Sequence, residues 1–292
     1  MVRILILGSA GMLGHVVCRY FEGLGKYEVI DASFPNEFRK GSKILDVTDA
    51  ARLKEYLETI RPDILINCIG LLIRGSQDEP ANAIYINAWL PHFLSKIIHA
   101  WNGKLVHIST DCVFSGSKGS YTEIDEKDAK DIYGRSKALG EVENDKDLTI
   151  RTSIIGPELK KKGEGLFHWF MNQAGNVNGY TRVYWSGLTT LELAKVIDAA
   201  IVQNLSGLVN VSAMQKISKY ELLTLIHRTF SFPDVTIIPF DQKMEDKSLV
   251  SVRTDFTYAK KDYPEMIQEL FAFMRKNGEY YPGYLSPGGK KK

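Results

Sequence analysis

The feature that most constrains this chain is a regular alternation of short apolar segments with amphipathic segments along its first half. Apolar runs of this length are typical of strands that are buried on both faces of a sheet. The amphipathic segments between them have the spacing of helices that cover one face of a core. Strands are predicted at residues 2–7, 27–30, 44–47, 63–68, 104–108 and 148–151, and helices at 12–24, 50–60, 80–100 and 132–143.

Alternating strands and helices predict a parallel sheet, because parallel neighbours can be joined only by a crossover connection. We therefore expect an α/β fold with a doubly wound parallel sheet of the Rossmann type. Beyond about residue 152 the alternation breaks, and a smaller, irregular α/β lobe is expected there. We therefore predict two domains, 1–155 and 156–292, that are interleaved with each other. In this second part, helices are predicted at residues 190–203, 218–230 and 264–276, and a strand at 208–211.

A glycine-rich segment follows the first predicted strand. Gly8, Gly11 and Gly14 have the spacing GxxGxxG and lie between a strand and a helix. Gly8 permits a tight turn, Gly11 lets the backbone approach phosphate groups, and Gly14 lets the helix lie against the strand. The amides at the helix start would then face a pyrophosphate. The sequence thus predicts that domain 1–155 binds a dinucleotide through Gly8, Ala10, Gly11, Met12 and Leu13.

The ends of the next three predicted strands extend this cofactor site, since the carboxyl ends of strands face the dinucleotide in such sheets. Asp31 is placed to accept hydrogen bonds from both hydroxyls of an adenosine ribose, which favours NADH. Ser33, Arg39 and Lys40 would instead bind the 2'-phosphate of NADPH, so both cofactors stay open. The other predicted cofactor-binding residues are Asp46, Val47, Cys68, Ile69 and Gly70.

A candidate catalytic trio follows the fifth predicted strand. Thr110 lies at the strand end, and Tyr133 and Lys137 lie four residues apart, which places them on one face of the following helix. Carbonyl reduction develops negative charge on an oxygen that needs a proton and a hydrogen-bond donor. We expect the Lys137 ammonium to lower the pKa of the Tyr133 phenol and to donate to the cofactor ribose. Thr110 is expected to orient the substrate oxygen.

Five segments of the chain resemble the extended short-chain dehydrogenases/reductases, and within them the dTDP-4-dehydrorhamnose reductase group. These segments are residues 8–14, 86–88, 109–116, 133–137 and 151–153. The resemblance implies that Thr110, Tyr133 and Lys137 are catalytic and that Asn87 is the structural asparagine near the active site and the cofactor. It also implies an NAD(P)H-dependent reduction of the C4 ketone of a nucleotide-linked 4-keto-6-deoxy sugar, as in surface polysaccharide biosynthesis.

The chain departs from the rhamnose-forming members of this group at two places. Those members have an aromatic residue after the Arg-Thr-Ser motif, where this chain has Ile154 and Ile155, and residues 179–187 also differ. The sugar therefore stays open between the dTDP-4-dehydrorhamnose type and the UDP-4-keto-6-deoxy-N-acetylhexosamine type. Arg182 is a candidate clamp for a diphosphate, and Trp185 is a candidate for stacking on a ring. The candidate substrate-binding residues are Asp111, Cys112, Ser153, Arg182 and Trp185.

Two other functions are alternatives. Related 4,6-dehydratases follow the threonine with Asp-Glu, whereas this chain has Asp111 and Cys112, so a carboxyl that would move protons is missing. The same difference weakens, without excluding, a nucleotide-sugar epimerase. A non-catalytic, NADP-binding regulatory subunit is the other alternative, because one relative of the reductase group is a partner subunit of an adenosyltransferase. The intact trio argues against that role, since a regulator needs no proton donor.

Composition excludes several classes of partner. The formal net charge of the 292 residues is +2, which gives no electrostatic reason to expect binding to nucleic acid or to a membrane surface. No apolar run approaches the roughly 20 residues of a membrane-spanning helix. Three cysteines without ligand spacing predict a reducing cytoplasmic location and no metal site. The expected partners are a nucleotide-sugar substrate and, by frequency among soluble proteins, a second copy in a homodimer.

Overall fold

The computed structural model describes residues 1–160, 162–231 and 234–285. Its strands form one large sheet and two small ones. The strands are β1 (Val2–Leu7), β2 (Tyr27–Ser33), β3 (Lys43–Ile44), β4 (Ile64–Asn67), β5 (Lys104–Thr110), β6 (Leu148–Thr152), β7 (Ile154–Ile155), β8 (Gly175–Trp185), β9 (Leu188–Thr189), β10 (Gly207–Asn210), β11 (Ile217–Ser218) and β12 (Val235–Asp246).

The large sheet has seven strands in the order β3-β2-β1-β4-β5-β6-β10, and every neighbouring pair is parallel. Side chains alternate between its faces: Ile4 and Ile6 belong to one buried layer, and Leu5 and Leu7 belong to the other. Both faces are therefore covered, which confirms the expected doubly wound parallel sheet. The strand order reverses between β1 and β4, and the carboxyl ends of the strands at such a reversal are where sheets of this type bind ligands.

The helices begin where the sequence supplies caps. The side chains of Asp49, Asp131, Thr189, Ser218 and Asp262 each accept a hydrogen bond from an amide in the first turn of a helix. The helices are α1 (Gly14–Leu24), α2 (Ala50–Ile60), α3 (Ile73–Asp78), α4 (Pro80–Ala83), α5 (Leu90–Ile98), α6 (Ile132–Leu139), α7 (Leu166–Met171), α8 (Thr190–Val202), α9 (Lys219–Phe230), α10 (Tyr263–Lys276) and α11 (Pro282–Leu285), with short 3₁₀ turns at His99–Trp101, Asp111–Val113 and Gly278–Tyr280.

The structure differs from the sequence prediction at three helices and one strand. The predicted helix 80–100 contains a π-helical turn, Ile84–Trp89, just before Pro91, since a proline removes the amide that would continue regular pairing. The predicted helix 132–143 ends at Leu139, because Gly140 passes so close to the Asn87 backbone that no side chain would fit. The predicted helix 12–24 begins at Gly14, and the predicted strand 44–47 is reduced to β3.

The second part of the chain returns to the large sheet and also builds a sheet of its own. β10 lies beside β6 at the sheet edge, and α8 packs on α1. β8 lies between β11 and β12 in a three-stranded sheet, and β7 pairs with β9. The division into domains 1–155 and 156–292 stays a prediction. In the structure the two parts share one continuous apolar core.

Candidate active site

The glycine-rich turn joins β1 to α1 in the conformation that the sequence requires. Gly8 has a φ of +82°, which favours glycine, and its Cα lies against Ile69 at the end of β4. A side chain on Gly14 would overlap the Gly8 carbonyl, so Gly14 allows α1 to lie directly on the turn. No side chain caps the first amides of α1. The Gly11 amide donates to the Gly8 carbonyl at 2.9 Å within the turn, so the neighbouring amides of Ala10, Met12 and Leu13 are the candidate donors to a pyrophosphate.

Asp31 lies two residues before the end of β2, and its carboxylate is already engaged within the protein. It accepts a hydrogen bond of 2.7 Å from the Ser9 hydroxyl, and the Arg39 guanidinium lies 2.9 Å away in an ion pair. Arg39 also pairs with Glu22. The structure thus brings together the acidic residue expected for NADH and the arginine expected for NADPH. The preference between the two cofactors stays open.

The strands next to β1 and β2 place the remaining predicted cofactor residues along the same sheet edge. After β3, the Asp46 carboxylate accepts a 2.9 Å hydrogen bond from the Thr48 amide, and the Tyr85 hydroxyl donates to the Val47 carbonyl. After β4, the Cys68 amide donates to the Leu7 carbonyl at 3.0 Å. Ile69 and Gly70 continue this loop. Their location agrees with the prediction, although none of these contacts tests a cofactor role.

Thr110 and Tyr133 meet at the carboxyl end of β5. The Thr110 hydroxyl accepts a 3.1 Å hydrogen bond from the Cys112 amide and also interacts with the Tyr133 phenol. Burial raises the pKa of Tyr133, the nearby Cys112 raises it further, and the hydrogen bond with Thr110 only partly opposes this. The expected lowering of this pKa by Lys137 is therefore wrong, because desolvation of the phenolate outweighs the other effects. Tyr133 keeps its proton at neutral pH.

Lys137 is buried one helical turn after Tyr133 on α6. Its ammonium donates a 2.7 Å hydrogen bond to the Ile108 carbonyl and lies 3.3 Å from Nε2 of His107. Burial lowers the pKa of Lys137 to about 8, although Glu141 and Cys68 act to raise it. Burial and the lysine charge also hold the pKa of His107 well below its usual range, so this imidazole is neutral. The Lys137 ammonium therefore loses its proton more readily than an exposed lysine.

Asn87 lies within the π-helical turn and is fully buried. Its side-chain oxygen accepts a 2.9 Å hydrogen bond from the Leu71 amide, and its nitrogen donates at 2.9 Å to the Leu71 carbonyl. The same nitrogen donates at 3.2 Å to the Ser136 hydroxyl on α6. Asn87 therefore fixes the loop after β4 against the helix that carries Tyr133 and Lys137, which agrees with a structural role.

The predicted substrate residues do not all lie together. Asp111 and Cys112 follow Thr110, and burial raises the pKa of the Cys112 thiol to about 12, so this thiol is not a ready proton carrier. Trp185 is buried and its indole N–H donates a 2.8 Å hydrogen bond to the Ser153 hydroxyl. Arg182 is exposed on the other face of β8, beside Met244. The structure does not bring Arg182 and Trp185 to one site.

A buried ion pair under the site was missed by sequence reasoning. The Arg151 guanidinium binds the Glu141 carboxylate through two hydrogen bonds of 2.7 and 2.8 Å, and both side chains have no exposed surface. Ser109, next to Thr110, donates to the same carboxylate at 2.7 Å. This pair ties α6 to β5 and β6. Arg151 belongs to a recognised motif, but Glu141 follows a helix end and has no signal in the sequence.

With this geometry in place, comparison with known proteins decides the family. A model of the family described as the RmlD substrate binding domain matches residues 2–248. The chain belongs to this family. Its resemblance to the dTDP-4-dehydrorhamnose reductase group is confirmed by this match.

Other proteins similar to this RmlD family member have several functions. The chain is 30% identical over 159 residues to the dTDP-4-dehydrorhamnose reductase of Aggregatibacter actinomycetemcomitans, covering 52% of this chain and 51% of that protein. It thus spans about half the length of this relative. It is 22% identical over 251 residues to methionine adenosyltransferase 2 subunit beta of Xenopus tropicalis, covering 81% and 75% of the two chains.

The fold of this RmlD family member is also found among solved structures. A dTDP-4-dehydrorhamnose reductase from Bacillus anthracis, solved in complex with NADP, superimposes with a TM-score of 0.77 at 22% identity and covers 94% of this chain and 99% of that one. This likeness confirms the fold. Within residues 1–160, 162–231 and 234–285, no helix is long and apolar enough to span a bilayer, and no cluster of acidic, histidine and cysteine side chains could hold a metal ion.

Proposed function

We propose that this protein is an NAD(P)H-dependent reductase of the 4-keto group of a nucleotide-activated 4-keto-6-deoxy sugar, acting in surface polysaccharide biosynthesis. The observation that carries the proposal is the meeting of Thr110 and Tyr133 at the end of β5, with Lys137 one turn further along α6. This edge of the sheet also holds the glycine-rich turn. The reductases among its relatives support the same reaction type.

The cofactor fit rests on the turn between β1 and α1. Gly8 has a positive φ that favours glycine, Gly14 leaves no room for a side chain, and no side chain caps the first amides of α1, which suits a bound pyrophosphate. NAD(P)H, when bound, supplies the hydride that reduces the carbonyl carbon. Lys137 would then exchange its contact with Ile108 for the hydroxyls of the nicotinamide ribose.

The protein side of the reaction is proton donation. Thr110 donates a hydrogen bond to the substrate oxygen and holds it beside the Tyr133 phenol. The raised pKa of Tyr133 suits this direction, since a phenol that keeps its proton at neutral pH still transfers it to an alkoxide, which is far more basic. Lys137, with its pKa lowered to about 8 by burial, would return a proton to the Tyr133 phenolate after each turnover and would itself take up a proton from solvent.

The test is turnover by the purified protein. NADPH or NADH absorbance is followed with 4-keto-6-deoxy sugars carried by dTDP or UDP. Tyr133→Phe is expected to reduce turnover at least about a hundredfold with little change in cofactor affinity, since general acid catalysis contributes roughly 10² to 10⁴. Tyr20→Phe, which removes a hydroxyl on α1 far from the strand ends, is the control.

Three results would contradict the proposal. Equal turnover by Tyr133→Phe and the wild type would show that Tyr133 is not the proton donor. Cofactor binding without reduction of any 4-keto nucleotide sugar would instead favour the regulatory-subunit alternative, which the similarity to an adenosyltransferase subunit supports. Detection of a dehydrated or epimerised sugar product would favour a nucleotide-sugar dehydratase or epimerase.

A further inference from the structure

A lysine from the second part of the chain reaches the active site and forms no close ion pair with any residue that the structure describes. Lys219 is the first residue of α9, and the start of this helix is fixed by reciprocal hydrogen bonds between Ser218 and Glu221. β11 pairs with β8 immediately before it, so that Ser218 lies opposite Tyr184. The backbone position of Lys219 is therefore set by both a helix cap and a strand pair.

The side chain of Lys219 points across a rigid surface. Its ammonium lies 5.2 Å from the centre of the Trp185 ring. Trp185 is held by its hydrogen bond to Ser153 and by packing against Tyr263, whose ring centre lies 5.6 Å away. This surface leaves the ammonium of Lys219 close to Asp111 and Cys112, directly after the catalytic Thr110.

The charge of Lys219 is poorly satisfied by the protein. Within the described residues, its ammonium makes no hydrogen bond and no ion pair shorter than 4.0 Å. Its stacking on Trp185 is a weaker interaction than either. Burial lowers the pKa of Lys219 to about 8, against the attraction of Asp111 and Cys112. A half-buried ammonium without a close anionic partner costs free energy unless a ligand supplies the anion.

A second lysine stands close to the same two residues. Lys247 follows β12 and lies 3.4 Å from the Glu245 carboxylate. The Asp246 amide donates a 2.9 Å hydrogen bond to the Gly116 carbonyl, which holds this end of β12 against the loop after β5. Burial alone would lower the pKa of Lys247, but Cys112, Glu245 and Asp111 together raise it, so Lys247 stays charged. Two ammonium groups thus flank the Asp111–Cys112 segment.

We infer that Lys219, with Lys247 beside it, binds the diphosphate of the nucleotide-sugar substrate. The inference rests on the proposed function, which places the sugar C4 at Thr110 and Tyr133. A diphosphate at C1 of the same sugar then lies one ring away from these residues, beside the loop that follows β5. This assignment replaces Arg182, which lies on the opposite face of β8.

The assignment also explains why the lysine is not paired with Asp111. Burial raises the pKa of Asp111, and Lys219 and Lys247 only partly oppose this. A close ion pair with Asp111 would occupy at least one of the three ammonium donors and would compete with a phosphate for the charge of Lys219. With both lysines turned to the ligand, the diphosphate receives charged hydrogen bonds from two sides, and these are stronger than neutral ones.

The test measures binding of UDP and dTDP, without any sugar, to the NADP⁺-saturated protein by titration calorimetry. Saturation with NADP⁺ closes the cofactor site to these probes. Lys219→Met keeps the apolar stem and removes the charge, and it is expected to weaken UDP and dTDP binding at least about tenfold. Lys219→Arg is expected to retain most of the affinity. An unchanged NADP⁺ affinity shows that each variant is folded.

The matched control is Lys216→Met. Lys216 also stacks on an aromatic ring of β8, with its ammonium 4.7 Å from the centre of Tyr184, but it is exposed and paired with Asp246. UDP binding should be unchanged in this variant. A difference between Lys216→Met and Lys219→Met therefore reports the diphosphate contact and not the loss of any lysine on this sheet.

A pH series adds a readout that a structural role would not give. Lys219 faces Asp111 and Cys112 after β5, and Glu245 and Lys243 on β12. UDP affinity of the wild type should fall as pH rises through about 8, where Lys219 loses its proton, whereas Lys219→Arg stays charged and should show a weaker fall. If Lys219→Met binds UDP and dTDP within twofold of the wild-type affinity, the inference about the diphosphate is overturned and the proposed function still stands. Absence of binding of both nucleotides to the wild type would overturn the proposed function as well.

Discussion

The buried pair of Arg151 and Glu141 allows a sharp prediction about stability. In Arg151→Met the carboxylate of Glu141 loses two charged hydrogen bonds but keeps Lys127 at 3.0 Å and Ser109 at 2.7 Å. Breaking a buried pair costs about 3–5 kcal/mol, and the remaining contacts favour the lower end of this range. At about 2–4 °C per kcal/mol for chains of this order of size, the melting temperature should fall by roughly 6–12 °C.

The stability loss in Arg151→Met should depend on pH in a direction that follows from the pKa of Glu141. In the wild type, burial would raise the pKa of Glu141, but Arg151, Lys127 and Ser109 hold it below its usual value. The folded state is therefore stabilised above the ordinary glutamate pKa, and this contribution is lost as pH falls through the folded pKa. In Arg151→Met, burial dominates and the folded pKa rises above the unfolded one. Acidification then favours folding of the variant, so its deficit should shrink between pH 7 and pH 5.

The assay is thermal unfolding followed by circular dichroism across this pH range. Lys54→Met is the control, because Lys54 and Glu58 form an exposed pair at 3.8 Å on α2. Exposed pairs contribute about 0–1 kcal/mol, so this control should change the melting temperature little. A deficit in Arg151→Met that is as small as that of the control, or that does not vary with pH, would refute the reasoning.

Two further predictions concern the cofactor side of the molecule. Gly14→Ala should weaken NADPH binding and destabilise the protein by about 1–3 kcal/mol, because its methyl group would overlap the Gly8 carbonyl. Gly23→Ala in the same helix meets no atom within 4 Å and should stabilise it by about 0.5–1 kcal/mol, so equal melting temperatures would contradict the packing argument. Lys137→Met should abolish turnover. The unfolding free energy of the wild type, minus that of this variant, should rise from pH 8 to pH 10. In this range the folded Lys137 loses its proton, because burial lowers its pKa to about 8, while the unfolded lysine still holds its proton. Denaturant titrations of both proteins across this range would contradict the prediction if the difference stayed flat.

The local features of the fold follow from the sequence, because they depend on near neighbours along the chain. The apolar run at β1, the caps at Asp49 and Ser218, and the glycine turn each carry their own signal. The same is true of the relation between Tyr133 and Lys137, since a helix repeat fixes it. Their order along the chain predicts a parallel sheet whose strand ends share one edge.

Only the tertiary structure decided the pKa values at the site and the placement of the candidate substrate-binding residues. The sequence predicts a lowered pKa for Tyr133 because Lys137 is near, but burial and the Cys112 thiol on the segment after β5 raise this pKa. Similarly, Arg182 and Trp185 lie close in sequence, yet strand alternation sends them to opposite faces of β8. Lys219 approaches Asp111 only because α9 packs against β8. Burial and charge depend on which distant segments meet, and no local pattern records that.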